Sequence, residues 1–345
     1  MNNPKVSVFT TCYNSGNYLK ETLNSILDQS LKDLEVIIVD GGSNDDTLNI
    51  ISEYQNDTRI KFYIEQGINI HDGFLSALNK STGDYVICCP ISDLIASKSW
   101  LESCSTILDQ NDDLSLVHGI SVHNNDFGDI YFGKGTRELC PSDTSFLSFW
   151  CATFFLFAEH TSVVRRDVYE KCMDLALPYD KNEFLSNFAD SRINSKNFFF
   201  NNFLKFTYNF NVSGYLSAYL PKIGAYVREN SNQAGSRALY RSVVENRFYR
   251  DMIKEYRIDL SIGAKIHYFR DSRGNIIGEL KGKSLKNFIK DMVTHRLSDK
   301  IYFEEKDLLN NLSNLTTYKI KRFIYRIVRI IIYYYYKSYK YIRVK

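Results

Sequence analysis

Two apolar runs near the amino terminus each stop on side chains that could bind a ligand. Val6 to Thr10 leads into Thr11-Cys12-Tyr13-Asn14, and Glu35 to Val39 ends directly on Asp40-Gly41-Gly42-Ser43. The amphipathic segment between them, Leu19 to Gln29, makes a strand, helix, strand unit. Open α/β sheets bind ligands at the carboxyl ends of their strands, which is where Tyr13 and Asp40 fall. A ring that can stack and a carboxylate that can accept hydrogen bonds suit a nucleotide. The competing reading makes Tyr13 a packing residue and Asp40 a cap, because Asp before Gly-Gly-Ser is also a generic turn sequence.

The elements that must position these residues continue in the same alternation. Segments Asp46 to Tyr54 and Asp72 to Asn79 have helical patterns, and Ile60 to Ile64 and Tyr85 to Cys89 read as strands. The expected fold class is therefore α/β, with a mainly parallel central sheet and helices on both faces. Leu114 to Tyr131 reads as strand-rich, with Asn-Asn-Asp-Phe-Gly as its turn. Residues 237–312 have a mostly helical pattern broken at Gly263, Gly274 and Gly282, and carry no motif.

A chain of 345 residues, 44% of them hydrophobic, can bury a substantial core. Its net charge of +3, from 43 basic and 40 acidic residues, sets up no global field that would attract nucleic acid, so no nucleic-acid partner is expected. The seven cysteines show no Cys-x-x-Cys pair and no small-domain disulfide framework, which favours reduced thiols in the cytoplasm. The opening MNNPKVSVF has no charged-then-apolar leader. After Asp307 no acid occurs, and from Lys319 onward Ile320, Phe323, Ile324, Ile327, Ile331 and Tyr334 recur at helical spacing opposite Lys319, Arg322, Arg326 and Arg329. Residues 316–345 are thus expected to form a basic amphipathic helix on an anionic membrane surface, with a helix packed on the catalytic domain as the alternative. The longest uncharged run there, Ile330 to Tyr336, is far short of the roughly 20 residues a spanning helix needs.

The ordered set of short segments in the first hundred residues resembles the opening of family 2 glycosyltransferases, inverting enzymes that use nucleotide-diphospho sugars. It comprises Tyr13-Asn14-Ser15-Gly16, then Ser25-Ile26-Leu27-Asp28-Gln29-Ser30, then Ile37-Ile38-Val39-Asp40-Gly41-Gly42-Ser43 with Asp45 and Thr47. Gly67-Ile68-Asn69-Ile70-His71-Asp72-Gly73 through Asn79-Lys80 to Thr82-Gly83-Asp84-Tyr85-Val86 continues the resemblance. Further on, Glu159-His160-Thr161-Ser162 with Arg165-Arg166-Asp167-Val168-Tyr169, and Phe188-Ala189-Asp190, are similar to the family's acceptor half.

The resemblance implies a nucleotide-diphospho-sugar transferase, Rossmann-like fold over residues 1–235, with 1–100 holding the donor nucleotide and 101–235 the acceptor. A helical extension, 236–315, and the basic helix, 316–345, follow. It implies that Tyr13 stacks on a uracil base, that Asp40 accepts its ring NH, and that Thr11, Asp72 and Ser92 also contact the donor. A divalent cation, Mg2+ or Mn2+, is expected on Asp93. Here the chain departs from the family, because Cys88-Cys89-Pro90-Ile91-Ser92-Asp93 has Ile91 where a first acid often stands. One carboxylate can still serve a cation that keeps waters and phosphate oxygens. The alternative makes Asp93 a cap for the segment after it. Asp190 is the expected base, and His160 is expected to touch the acceptor or the diphosphate. The implied activity is transfer of a sugar from a nucleotide-diphosphate donor, UDP before others, to a lipid-linked glycan or polysaccharide at the inner face of the cytoplasmic membrane. Two other readings stay open. A sugar nucleotidyltransferase would need a glycine-rich phosphate loop after the first strand, where this chain has Thr10-Thr11-Cys12-Tyr13. A degenerate nucleotide-sugar-binding protein without turnover is suggested by Ile91.

Overall fold

The strands form because runs such as VSVFTTC and LEVIIVD combine β-branched residues with burial on both sheet faces, as a strand covered by helices requires. The structure, a computed structural model, describes residues 3–125, 130–132, 159–176, 202–229 and 266–281. β1 (Val6–Cys12), β2 (Leu34–Asp40), β3 (Ile60–Ile64) and β4 (Tyr85–Cys88) form the parallel half of the sheet in the order β3-β2-β1-β4. Helices α1 (Gly16–Leu27), α2 (Thr47–Ser52) and α3 (Ile70–Lys80) make the crossovers. Their apolar faces bury Leu19, Leu23, Ile26, Ile50, Ile51, Phe74, Ala77 and Leu78.

The second half makes the sheet mixed rather than uniformly parallel. β5 (Leu94–Ile95) and α4 (Trp100–Gln110) lead to β6 (Leu114–Asn125), with β7 (Ile130–Phe132) paired antiparallel to it. A 3-10 turn (Glu159–Thr161) precedes β8 (Val163–Arg165), which lies antiparallel between β4 and β6. α5 (Arg166–Asp174) and α6 (Asn202–Ser213) come before β9 (Leu216–Glu229). β9 runs parallel to β6 and antiparallel to β5, completing the order β3-β2-β1-β4-β8-β6-β9-β5. The Leu114 to Tyr131 expectation is met as far as the described residues reach.

Trp100 is fully buried where β6 and β9 meet. A Cβ on Gly224 would stand 2.7 Å from its ring, and one on Gly119 would stand 2.4 Å away, so the two glycines make room for the indole. Across the sheet, Phe9, Phe74, Tyr169, Phe206 and Phe210 form a chain of ring contacts, with Tyr169 and Phe206 stacked at 4.1 Å. That chain ties α5 and α6 to β1 and α3. The polar Glu35 is buried in β2 and accepts from Ser7, Lys61 and the Thr82 amide and hydroxyl, linking β1, β2, β3 and the turn before β4.

One expectation is corrected here. Within the stretch read as helical, the described residues form a hairpin of β10 (Ile266–Arg270) and β11 (Ile276–Lys281). Its turn, Asp271 to Asn275, is closed by Asp271 accepting from the Arg273 and Asn275 amides, with Gly274 at φ 89°. Local turn chemistry at Asp271 and Gly274 overrides the helical spacing of the flanking apolar residues. Arg270 N donates to Gly214 O, and Ser272 Oγ donates to Asp112 O. The rest of 236–315, the helix expected over 316–345, and Asp190 lie outside the described residues. Among the described residues no helix is long and apolar enough to cross a membrane.

Candidate functional site

The carboxyl ends of β1 and β2 are laced together by Gly41 N donating to Cys12 O at 2.9 Å, and Gly67 N donates to Gly41 O at 3.0 Å. Tyr13, the residue after β1, is 61% exposed although the strand behind it is buried. Its ring lies against Gly41, where a Cβ would stand 3.5 Å from the ring and 3.3 Å from Ile68 O. The ring edge thus packs beside Gly41, and most of the side chain stays open to solvent. Asn14 holds a left-handed conformation at φ 52°, stabilised by its N–H donating to Ser43 Oγ and its side chain accepting from Asn44 N.

Asp40 is fully buried, and its carboxylate already has four donors. Oδ1 accepts from Gly42 N and Ser43 N, both at 2.8 Å, while Oδ2 accepts from Ser43 Oγ at 2.5 Å and Cys12 Sγ at 3.2 Å. A carboxylate has about four acceptor sites. In this geometry those sites are filled from within the chain, and the side chain holds the Gly41-Gly42 turn, with Gly42 at φ 92°. Burial and the bond to Asp40 push the Cys12 thiol far above its ordinary pKa, so it stays protonated and donates.

The amino end of α1 is served by the chain itself. Ser15 N donates to Thr47 Oγ1 and Gly16 N to Asp45 Oδ2. The Asp45 carboxyl, which burial alone would raise, is held below its usual range by the Thr47 hydroxyl, the Gly16 amide and the Thr47 amide, all donating to it. On the other side of β1, Gly73 in the first turn of α3 would bring a Cβ within 3.0 Å of Thr11 Cγ2, so Thr11 lies against that turn. Asn69 caps α3 by accepting from His71 N and Asp72 N, and its own amide donates to Asp72 Oδ2 at 2.6 Å. Asn202 Nδ2 donates to His71 O, so the start of α6 is tied to the same turn.

Asp93 follows β4 in a tight turn, Asp93 N donating to Pro90 O. It is buried, at 2% exposure, which a cap for the segment after it does not require. The segment it precedes is the short strand β5 rather than a helix. Oδ2 lies 2.9 Å from His160 Nδ1, and Oδ1 accepts from Ser92 Oγ at 3.2 Å and from Arg228 N at 3.3 Å. Asp93 and His160 are thus brought together from positions 67 apart in sequence. Glu159, which lies in the Glu159-His160-Thr161-Ser162 segment, and Arg228, which carried no recognisable sequence signal, join them. Burial pushes the Glu159 carboxyl above its ordinary value, against the pull of His160 and a hydrogen bond with the Cys88 thiol.

A single carboxylate, Asp93, suits Mg2+ or Mn2+ only when phosphate and water oxygens complete the shell, since an imidazole such as His160 is a donor for softer metals. Among the described residues no cluster of three or more His, Cys, Asp or Glu side chains is placed to hold an ion. The residues therefore fit a cation that arrives with a diphosphate rather than one held by protein alone.

The parallel half of the mixed sheet thus carries an exposed tyrosine and a glycine turn at its carboxyl edge, with buried Asp93 after the fourth strand beside His160, and the carboxyl ends of such strands are where open α/β sheets bind ligands. Residues 7–173 match the sequence model of Glycosyl transferase family 2. Among curated relatives, an uncharacterized glycosyltransferase of Haemophilus influenzae is 36% identical over 34% of this chain and 36% of its own length. The putative teichuronic acid biosynthesis glycosyltransferase TuaG of Bacillus subtilis is 40% identical over 24% of this chain and 34% of its own. The poly(ribitol-phosphate) beta-N-acetylglucosaminyltransferase TarP of Staphylococcus aureus is 30% identical over 38% of this chain and 42% of its own. The matches thus span less than half the length of these relatives.

Proposed function

We propose that this chain is an inverting glycosyltransferase that moves a sugar from UDP to a hydroxyl of a lipid-linked glycan or polysaccharide acceptor. The observation that carries this reading is the Tyr13 ring, exposed beside Gly41 at the carboxyl edge of the parallel strands in the segment that matches the family 2 model. Tyr13 stacks on the uracil, the turn framed by Asp40 supports it, and Thr11 and Asp72 lie against the nucleoside and sugar. Ser92 steadies Asp93. A divalent cation held by Asp93 would supply positive charge to the departing diphosphate, and His160, whose Nδ1 lies 2.9 Å from Asp93 Oδ2, touches the acceptor or the diphosphate.

In the transfer step the Asp190 carboxylate takes the proton of the acceptor hydroxyl, and the acceptor oxygen so freed forms the new bond to the anomeric carbon from the face opposite the diphosphate. The bond from anomeric carbon to phosphate oxygen breaks, and UDP leaves with the electron pair. Inversion follows from that single displacement. The relatives' printed roles in teichuronic acid biosynthesis and poly(ribitol-phosphate) glycosylation support an envelope polysaccharide as acceptor class. The basic residues after Lys319 support a place on the anionic inner face of the cytoplasmic membrane.

The nucleotidyltransferase reading loses ground on a specific point. The α1 amides that would cradle a phosphate are occupied by Thr47 and Asp45, and Asp45 would repel the ligand. Release of UDP from a panel of UDP- and GDP-sugars with Mn2+ tests the proposal. The expected result is turnover with one UDP-sugar, reduced by roughly 10²–10⁴-fold in Asp190→Asn, a range typical of general-base loss. Tight UDP-sugar binding with no turnover under any acceptor condition would favour the degenerate binding protein instead.

A further inference from the structure

We propose that Arg228 is a diphosphate-binding residue, whose guanidinium exchanges Glu21 for the phosphates of the bound nucleotide. The inference rests on the nucleoside-diphosphate reading above and extends it to a residue on β9, outside the segment matched to the family. β9 pairs with β5 through Leu94↔Tyr226, which brings the next turn of chain to Asp93, and Arg228 N donates to Asp93 Oδ1 at 3.3 Å. The side chain then crosses to α1. Its guanidinium sits 5.3 Å from the centre of the Tyr18 ring and pairs with Glu21. α1 starts at Gly16, directly after the Tyr13 turn, so one residue touches both the Asp93 turn and the first turns behind the base platform.

The chemistry there calls for a cation. A diphosphate between Tyr13 and Asp93 meets the negative charge of Asp93, and the α1 amides that could have helped are taken by Thr47 and Asp45. A guanidinium fork matches phosphate oxygens in a way a single ammonium does not. Its present partner is easily displaced, because Glu21 is 62% exposed and exposed pairs are held weakly. Tyr18 keeps the guanidinium aimed while the partner changes, since a cation over a ring face retains some freedom in the plane.

Calorimetric titration of the full chain with UDP and, separately, with UMP tests this, because the two differ only in the β-phosphate. Arg228→Ala should weaken UDP by about tenfold or more, the loss of a charge-assisted hydrogen bond, and leave UMP within about twofold. Arg228→Lys should recover part of the UDP affinity. Glu21→Gln should strengthen UDP and leave UMP unchanged, because it frees the guanidinium. Equal losses for UDP and UMP in Arg228→Ala would reduce Arg228 to a packing role and overturn the inference. Should that variant fail to fold, unchanged or weaker UDP binding in Glu21→Gln overturns it instead. A wild-type chain that binds neither nucleotide overturns the nucleotide reading itself, and a wild-type chain that binds both equally overturns only the assignment of Arg228.

Discussion

Replacing Asp40 with asparagine separates two roles that the sequence leaves superimposed. The amide keeps one acceptor oxygen for Gly42 N and Ser43 N, but the bonds lose the charge that makes them strong. The other oxygen becomes an NH2 facing Ser43 Oγ and Cys12 Sγ, both now donors to Asp40. Charged hydrogen bonds contribute about 1.5–3 kcal/mol against about 1 for neutral ones. Two weakened bonds to backbone and two reversed ones in a fully buried site predict a loss of about 2–4 kcal/mol. With a urea slope of about 3 kcal/mol/M, the midpoint of denaturation falls by about 1 M. Urea unfolding followed by circular dichroism measures the shift, and UDP titration below the transition measures the site. The expected outcome is a clearly less stable protein that binds UDP within a fewfold of wild type while folded. A variant of unchanged stability that has lost UDP binding would refute the reasoning, because Asp40 would then face the base and not the turn.

Tyr13→Ala should leave stability unchanged, since the ring is exposed, and weaken UDP by about 5–150-fold, the worth of one base stacked on an aromatic side chain, as read by calorimetry. Glu35→Gln should destabilise the fold by about 1–2 kcal/mol at pH 7, with most of the loss from Ser7 and Thr82, because Lys61 is 44% exposed. Burial raises the Glu35 carboxyl, but Lys61, Ser7 and Thr82 together bring it below its ordinary value. That contribution is therefore present above the unfolded pKa and is lost as pH falls through the folded one, so the urea midpoints of wild type and Glu35→Gln should converge as pH is lowered through the depressed Glu35 titration. The full chain should sediment with vesicles containing anionic lipid, and less so with neutral ones or at high salt, whereas a chain ending near Leu315 should not; identical behaviour of the two chains would remove the basic tail from the account.

The parallel half of the fold was legible because its strands are buried on both faces and read as unbroken apolar runs, bounded by turn residues that fix the carboxyl edge. Tyr13 and Asp40 could be placed there from spacing alone. Their division of labour could not, since the four donors to Asp40 come from Cys12, Gly42 and Ser43 and depend on the turn's three-dimensional path. Asp93 was visible as a surviving acid, but its link to His160 spans strands β4 and β8, a pairing no local pattern encodes. Arg228 was missed for the same reason: β9 joins β6 in parallel across a long stretch of chain, and nothing within AYVRE marks the arginine as facing Asp93. The β10–β11 hairpin was mistaken for helix because its exposed isoleucines mimic helical spacing, while the defining feature is the Asp271 to Gly274 turn.

The most direct test of the central claim is calorimetric titration of the full chain with UDP, GDP and ADP, each with Mn2+ and with excess EDTA. A site with Tyr13 as base platform and a cation that arrives with the diphosphate predicts that UDP binds most tightly and that EDTA weakens it without abolishing it. Equal affinity for all three diphosphates, or no binding of any, would contradict the assignment of the carboxyl edge of β1 and β2 as the UDP site.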